Sequence, residues 1–215
     1  MFEEDEDSET PSERAFDYAR TVALSDGVFA IALTLLVFTI TFPELQGVAR
    51  RRLGHELENR LPELFSWALS FAVLGLLWLR HHGFFRDLRT IDARMARLNL
   101  VYLALIAFLP YPTRLVGQYG NRSVAVVSYA ATVVLIGLVT GWMRIHASRA
   151  GLLPPSAVGD WRDHALIPVV FLLSIPVAMF VSADVAKWCW LLAVIVGLLM
   201  RGRRRSGARR RRRRS

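Results

Sequence analysis

Long apolar runs alternate with short polar connections along this 215-residue chain. Six of the runs approach the ~20 residues that carry an α-helix across bilayer hydrocarbon. They predict spanning helices at about 20–42, 62–85, 92–116, 122–146, 164–183 and 185–200. "FPEL" ends the first, and the polar, Arg-rich "QGVARRRLGHELENR" leads to Pro62 at the start of the second. "RDLRTID" joins the second to the third, and "SRAGLLPPSAVGDWRD" separates the fourth from the fifth. Trp188 and Trp190 open the sixth and suit an interfacial aromatic belt. The predicted fold is an all-α integral membrane protein with six transmembrane helices per chain.

Composition agrees with that pattern, since 53% of the residues are hydrophobic and they lie in blocks. Charge adds an orientation. The net charge of +9 is uneven: residues 1–19 open on the acidic "MFEEDEDSET", and residues 201–215 read "RGRRRSGARRRRRRS". Blocks of like charge are normally disordered, so both ends are expected to be so. An acidic head is the opposite of a positive n-region, and no secretory signal is expected. Arg80, Arg86, Arg89, Arg94 and Arg97, then Arg144, Arg149 and Arg162, share a side with the tail if both termini are cytoplasmic. That is what the positive-inside rule asks of a multi-pass protein of the cell membrane. Arg50, Arg51, Arg52 and Arg60 dissent. The tail is read as a topology determinant resting near anionic lipid headgroups, and no nucleic-acid partner is expected. A single cysteine, Cys189, excludes an internal disulfide framework and is read as a packing residue.

One residue does not fit an inert span. Asp26 lies near the start of the first helix, where a carboxylate at membrane depth costs roughly 2.5–3.5 kcal/mol on insertion scales. With the termini cytoplasmic, Arg20, Ser25 and Asp26 share a depth with Trp78, His81 and His82 of helix 2. Asp92 and Asn99 of helix 3 lie there too. Such groups are read first as a polar clasp holding three helices together. A proton relay through Asp26 and His81 is the functional alternative. Metal binding by His81, His82 and Asp26 is disfavoured, because adjacent residues on a helix point about 100° apart. No nucleophile elbow and no glycine-rich phosphate loop occurs, so no enzyme chemistry, metal site or cofactor is expected.

Beyond Asp26, helix 1 carries Gly27, Ile31, Thr34, Leu35 and Phe38 within one stripe at spacings of three and four. Taken alone, such a stripe is usually a packing face. Four copies around an axis would instead make rings of Ile31, Leu35 and Phe38 that gate by dewetting. A ring of Thr34 hydroxyls would then be the obvious ligand for a passing cation. "RLVGQYG", residues 114–120, looks like a broken potassium filter, but Gln118 interrupts the run, and it reads as the turn between helices 3 and 4.

"RTVALSDGVFAIALTLLVF" resembles the signature helix of the transmembrane protein 175 family of potassium channels, whose motif is Arg-x-x-x-Phe-Ser-Asp. Arg20, Ser25 and Asp26 match it, with Leu24 in the place of phenylalanine. The resemblance continues through "WLRHHGFFRDLRTID" and "LNLVYLALIAFLPYPT" and covers roughly the first 115 residues. It implies a homotetramer with helix 1 of each subunit lining a central pore. Ile31, Leu35 and Phe38 then fall at the hydrophobic constriction and Thr34 at the layer preferring potassium over sodium. Arg20, Ser25 and Asp26 would hold helix 1 to helices 2 and 3. The expected function is a potassium-preferring cation channel, potassium entering only as the permeant ion. The alternatives are a proton channel or proton-coupled transporter using Asp26 and His81, and a non-conducting membrane scaffold.

Overall fold

The computed structural model describes residues 11–41, 54, 58–154, 161–192, 194 and 196. The acidic residues 1–10, most of the arginine-rich connection before residue 58 and the tail from 197 onward lie outside the described residues. Every regular element among the described residues is helical. In chain order they are α1 (Pro11–Leu35), α2 (Leu61–Asp87), α3 (Ala93–Phe108), α4 (Pro110–Tyr119), α5 (Ser123–Arg149) and α6 (Trp161–Phe180). A further helix, α7, covers residues 183–192. Among the described residues four stretches are long and apolar enough to cross a membrane: Phe16–Thr39, Leu61–Asp87, Ala93–Tyr119 and Ser123–Arg149. A shorter apolar stretch, Ile167–Phe180, lies in α6.

Local chemistry explains the ends. Pro62 and Glu63 open α2, where a missing N–H costs nothing and an acid meets the positive end of the helix dipole. Asp92 caps α3, its Oδ1 accepting from Met95 N at 2.7 Å. Pro110 cannot donate to a preceding carbonyl, so the ladder closes on a tight Leu109 N–Ile106 O bond of 3.2 Å, and α4 continues beyond it.

Three expectations need correction. Helix 1 begins at Pro11 rather than 20, because the extra turns gain a partner: Tyr18 donates its hydroxyl to Phe85 O at 2.6 Å. Residues 114–120 are not the turn. The helix runs on to Tyr119 and turns only at Gly120–Arg122, and within it Gly117 allows close approach to Glu63 of α2. Trp190 is not an interfacial anchor. It is fully buried, donates from Nε1 to Ser174 Oγ at 2.7 Å, and stacks 5.0 Å from both Tyr129 and Phe171. Trp188 remains exposed.

The core sits between α1 and the α2–α4 layer and continues into α5 and α6. Gly137 is what brings α5 and α6 so close, since a Cβ there would overlap the ring of Pro168.

Candidate functional site

The face of α1 that packs inward is spaced four, three and four: Ser25, Phe29, Ala32 and Leu36, all at most 1% exposed. It lies on α3 and α2. The opposite face carries Gly27, Ile31, Thr34, Leu35 and Phe38, and all of these are exposed on the single chain. Ile31 is 59% and Phe38 71% exposed, so two large apolar side chains stand bare on a helix whose other face is filled. Thr34 is exposed with its hydroxyl donating to Ile31 O at 2.8 Å. This back-bond uses the proton and leaves the oxygen lone pairs turned away from the helix. After Leu35 the backbone tightens into a 3-10 turn, Leu36–Thr39, and Thr39 repeats the device by donating to Leu36 O at 2.7 Å.

Towards the other end of α1 the polar groups sort into two separate contacts. Asp26, half-buried, accepts from Trp78 Nε1 at 2.9 Å. Ser25 accepts from Asn99 Nδ2 at 3.0 Å, and Asn99 Oδ1 accepts from His81 Nε2 at 2.8 Å. His81 is held flat between Phe85 and Tyr102, with ring centroids 4.2 and 5.0 Å away. A buried chain Ser25–Asn99–His81 thus runs from α1 through α3 to α2, while Ser25 itself donates to Thr21 O at 2.8 Å. Buried amide and imidazole groups persist at this depth because each has found a partner.

The remaining predicted members stand apart. Arg20 is exposed, its guanidinium 5.6 Å from the centroid of the Phe16 ring. His82 is exposed and lies against Trp78 at 5.6 Å. Neither meets Asp26 among the described residues, so the expected pairing of the acid with arginine or imidazole gives way to the indole. His82 lies one turn beyond Trp78 on the same side of α2, and it is the Trp78 indole that reaches the carboxylate. Asp92 also leaves the cluster, turning to His146 Nε2 on α5 at 2.7 Å. Burial, its largest single influence, pushes the Asp92 carboxyl up. The Met95 N–H and the His146 imidazole outweigh it and hold the group below its ordinary value.

A second anchor, not foreseen from the sequence, lies at the opposite end of α1. Thr41 N donates to Glu63 Oε2 at 2.6 Å, Arg60 Nη1 donates to Glu63 Oε1 at 2.9 Å, and Gln118 Nε2 donates to Thr41 Oγ1 at 3.2 Å. The signal available was a single acid in an apolar turn, Glu63 beside Phe65, the same kind of anomaly that singled out Asp26.

Helices of spanning length, one of them bearing an open apolar stripe, define the class as an ion-conducting membrane protein rather than an enzyme once the relatives are added. The profile described as "Endosomal/lysosomal potassium channel TMEM175" matches residues 20–110. A potassium channel of Chamaesiphon minutus is 34% identical over 156 residues, 71% of this chain and 73% of that one. A potassium channel of Streptomyces collinus is 34% identical over 138 residues, 62% of this chain and 66% of its own length. The human endosomal/lysosomal proton channel TMEM175 is 29% identical over 160 residues, 69% of this chain but 32% of its own length. The crystal structure of a lysosomal potassium-selective channel TMEM175 homolog from Chamaesiphon minutus aligns with a TM-score of 0.75 at 27% identity. That alignment covers 86% of this chain and 97% of the other. The chain belongs to the TMEM175 family of ion channels.

Proposed function

We propose that the chain is a potassium-preferring cation channel of the cell membrane. Four copies assemble about an axis with α1 of each nearest to it, both termini on the cytoplasmic side and lipid around the outside. In this reading α6 and the helix from residue 183 supply the fifth and sixth spans. Ile31, Leu35 and Phe38 form the apolar constriction, and the Thr34 hydroxyls form a layer of oxygens between them. The observation that carries the proposal is the two-faced build of α1, closely packed on one side and bare along Ile31, Thr34, Leu35 and Phe38 on the other. A helix bound into its own bundle by Ser25, Asp26 and Phe29 is free to present that bare face to copies of itself.

The chemistry of such a ring sets the expected behaviour. Apolar side chains offer a cation no ligand, so it passes with part of its hydration shell. Potassium holds water less strongly than sodium because the same charge is spread over a larger ion, which favours it modestly. Thr34 oxygens, with their protons already given to Ile31 O, offset part of the dehydration. Bi-ionic reversal potentials in reconstituted liposomes test this. Ile31→Ala should widen and wet the ring, raising conductance and lowering discrimination, and Thr34→Val should lower selectivity at constant shape. Unchanged potassium-to-sodium ratios in both would place the selective constriction elsewhere.

A second reading, proton permeation, is favoured by the buried Ser25–Asn99–His81 chain and by what the human relative is called. A reversal potential that follows the pH gradient at fixed potassium would support it. We favour the first reading because His81 is enclosed by Phe85 and Tyr102 rather than placed on the bare face of α1.

A further inference from the structure

We propose that Glu63 is a positioning residue for conduction: its carboxylate pins the end of α1 and so fixes how far Phe38 reaches towards the axis. The proposal rests on α1 lining the pore. Past the 3-10 turn, Ile40 is extended and the Thr41 N–H has no helical carbonyl to meet. It meets Glu63 Oε2 instead, at 2.6 Å, a short charge-assisted bond to a residue 22 positions away. The other oxygen is taken by Arg60 at 2.9 Å, so the carboxylate is fixed at both ends and cannot swing.

Burial marks this acid out from an ordinary helix-start residue. Glu63 is 6% exposed, although an acid that only complements the helix dipole needs no burial. Its backbone is backed by α4, because a Cβ on Gly117 would lie 3.3 Å from Glu63 Cα, and Gln118 reaches over to the Thr41 hydroxyl. Two residues separate Thr41 from Phe38. Thr39 is itself buried and tied to Leu36 O, and Ile40 N is tied to Val37 O at 3.2 Å. With only two residues, both held to the turn, between pin and ring, the position of Thr41 is coupled to that of Phe38.

The test uses the full-length channel in liposomes, with potassium flux and bi-ionic potentials for wild type, Glu63→Ala, Glu63→Gln, Phe38→Ala and the Glu63→Ala/Phe38→Ala double variant. Glu63→Ala should change flux and the potassium-to-sodium ratio several-fold in a channel of unchanged oligomeric state. Glu63→Gln should fall between, since one amide cannot accept from both Thr41 and Arg60. The double variant should match Phe38→Ala alone, because the pin acts through that ring. A stability loss with wild-type ratio and flux in Glu63→Ala, or additive effects in the double variant, would overturn the proposal. If Glu63→Ala fails to assemble, Glu63→Gln decides it by the same criterion. Should Phe38→Ala itself change nothing, it is the pore assignment that fails, and the two failures are told apart.

Discussion

Replacing Asn99 by alanine removes both interhelical bonds of one buried amide. Asn99 is 1% exposed, donates to Ser25 at 3.0 Å and accepts from His81 at 2.8 Å. Hydrogen bonds between membrane helices average ~0.6 kcal/mol in double-mutant cycles, so the pair accounts for roughly 1.2 kcal/mol. The greater part of the cost comes from what is left behind. His81 is 6% exposed, and its Nε2–H would face a methyl group with no acceptor, adding about 1–3 kcal/mol. Ser25 keeps its bond to Thr21 O and contributes little. Asn99→Ala should therefore lose about 2–4 kcal/mol, and Ser25→Ala, which breaks one bond and leaves the buried Asn99 Nδ2–H without its acceptor, should lose about 2–3 kcal/mol. Fluorescence-detected size exclusion after heating gives the rank order, and a Ser25/Asn99 double-mutant cycle gives the coupling. Asn99→Ala melting with the wild type, or fully additive losses in the double variant, would refute the chain as drawn.

Three further outcomes follow from other contacts. Asp26→Ala should destabilise by stranding the Trp78 indole N–H, and Asp26→Asn, which keeps an acceptor at the same place, should restore most of the loss. Equal melting temperatures for the two would show that the charge, not the bond, matters. Asp92 is held below its ordinary 3.8 in the folded chain, so its stabilisation is complete above that value and fades as pH falls through the depressed one. Thermal melts between neutral pH and pH 3 should show an acid loss below about pH 4, under ~1 kcal/mol because Asp92 is 40% exposed, and Asp92→Asn should lack that share. Gly137→Val should force α5 from Pro168 at about 1–3 kcal/mol while leaving ion selectivity alone, which melts and reversal potentials would read separately.

Depth in the membrane is legible in a sequence, and rotation is only partly so. The long apolar runs located α1, α2 and α5, and counting along them brought Asp26 and Trp78 to one level although 52 positions separate them. Level alone did not say which group would turn to the carboxylate: Trp78 reaches it, while Arg20 lies by Phe16 and His82 by Trp78. The end of the third span was misjudged in the opposite sense. Residues 114–120 read as a turn, yet the chain stays helical to Tyr119, where Gly117 packs closely on Glu63. Trp190 had the composition of an interface and the fate of a core residue, and only the position of Ser174 sixteen places earlier decides between them. The Thr41–Glu63 contact has no motif at all, since a backbone amide has no signature in sequence.

The close fit of Gly137 on Pro168 has a consequence for how the molecule can vary. It makes α6 a passenger of α5: α6 packs on α5 and on Trp190 of α7, and its outer side, with Leu172, Leu173, Met179 and Phe180 exposed, reaches none of the described groups that hold α1. The side chains that do hold α1 come from α2, α3 and the last turn of α4. In the tetramer proposed above, substitutions at Leu172 or Leu173 would therefore leave the Trp78–Asp26 and Asn99–Ser25 bonds that set α1 in place untouched.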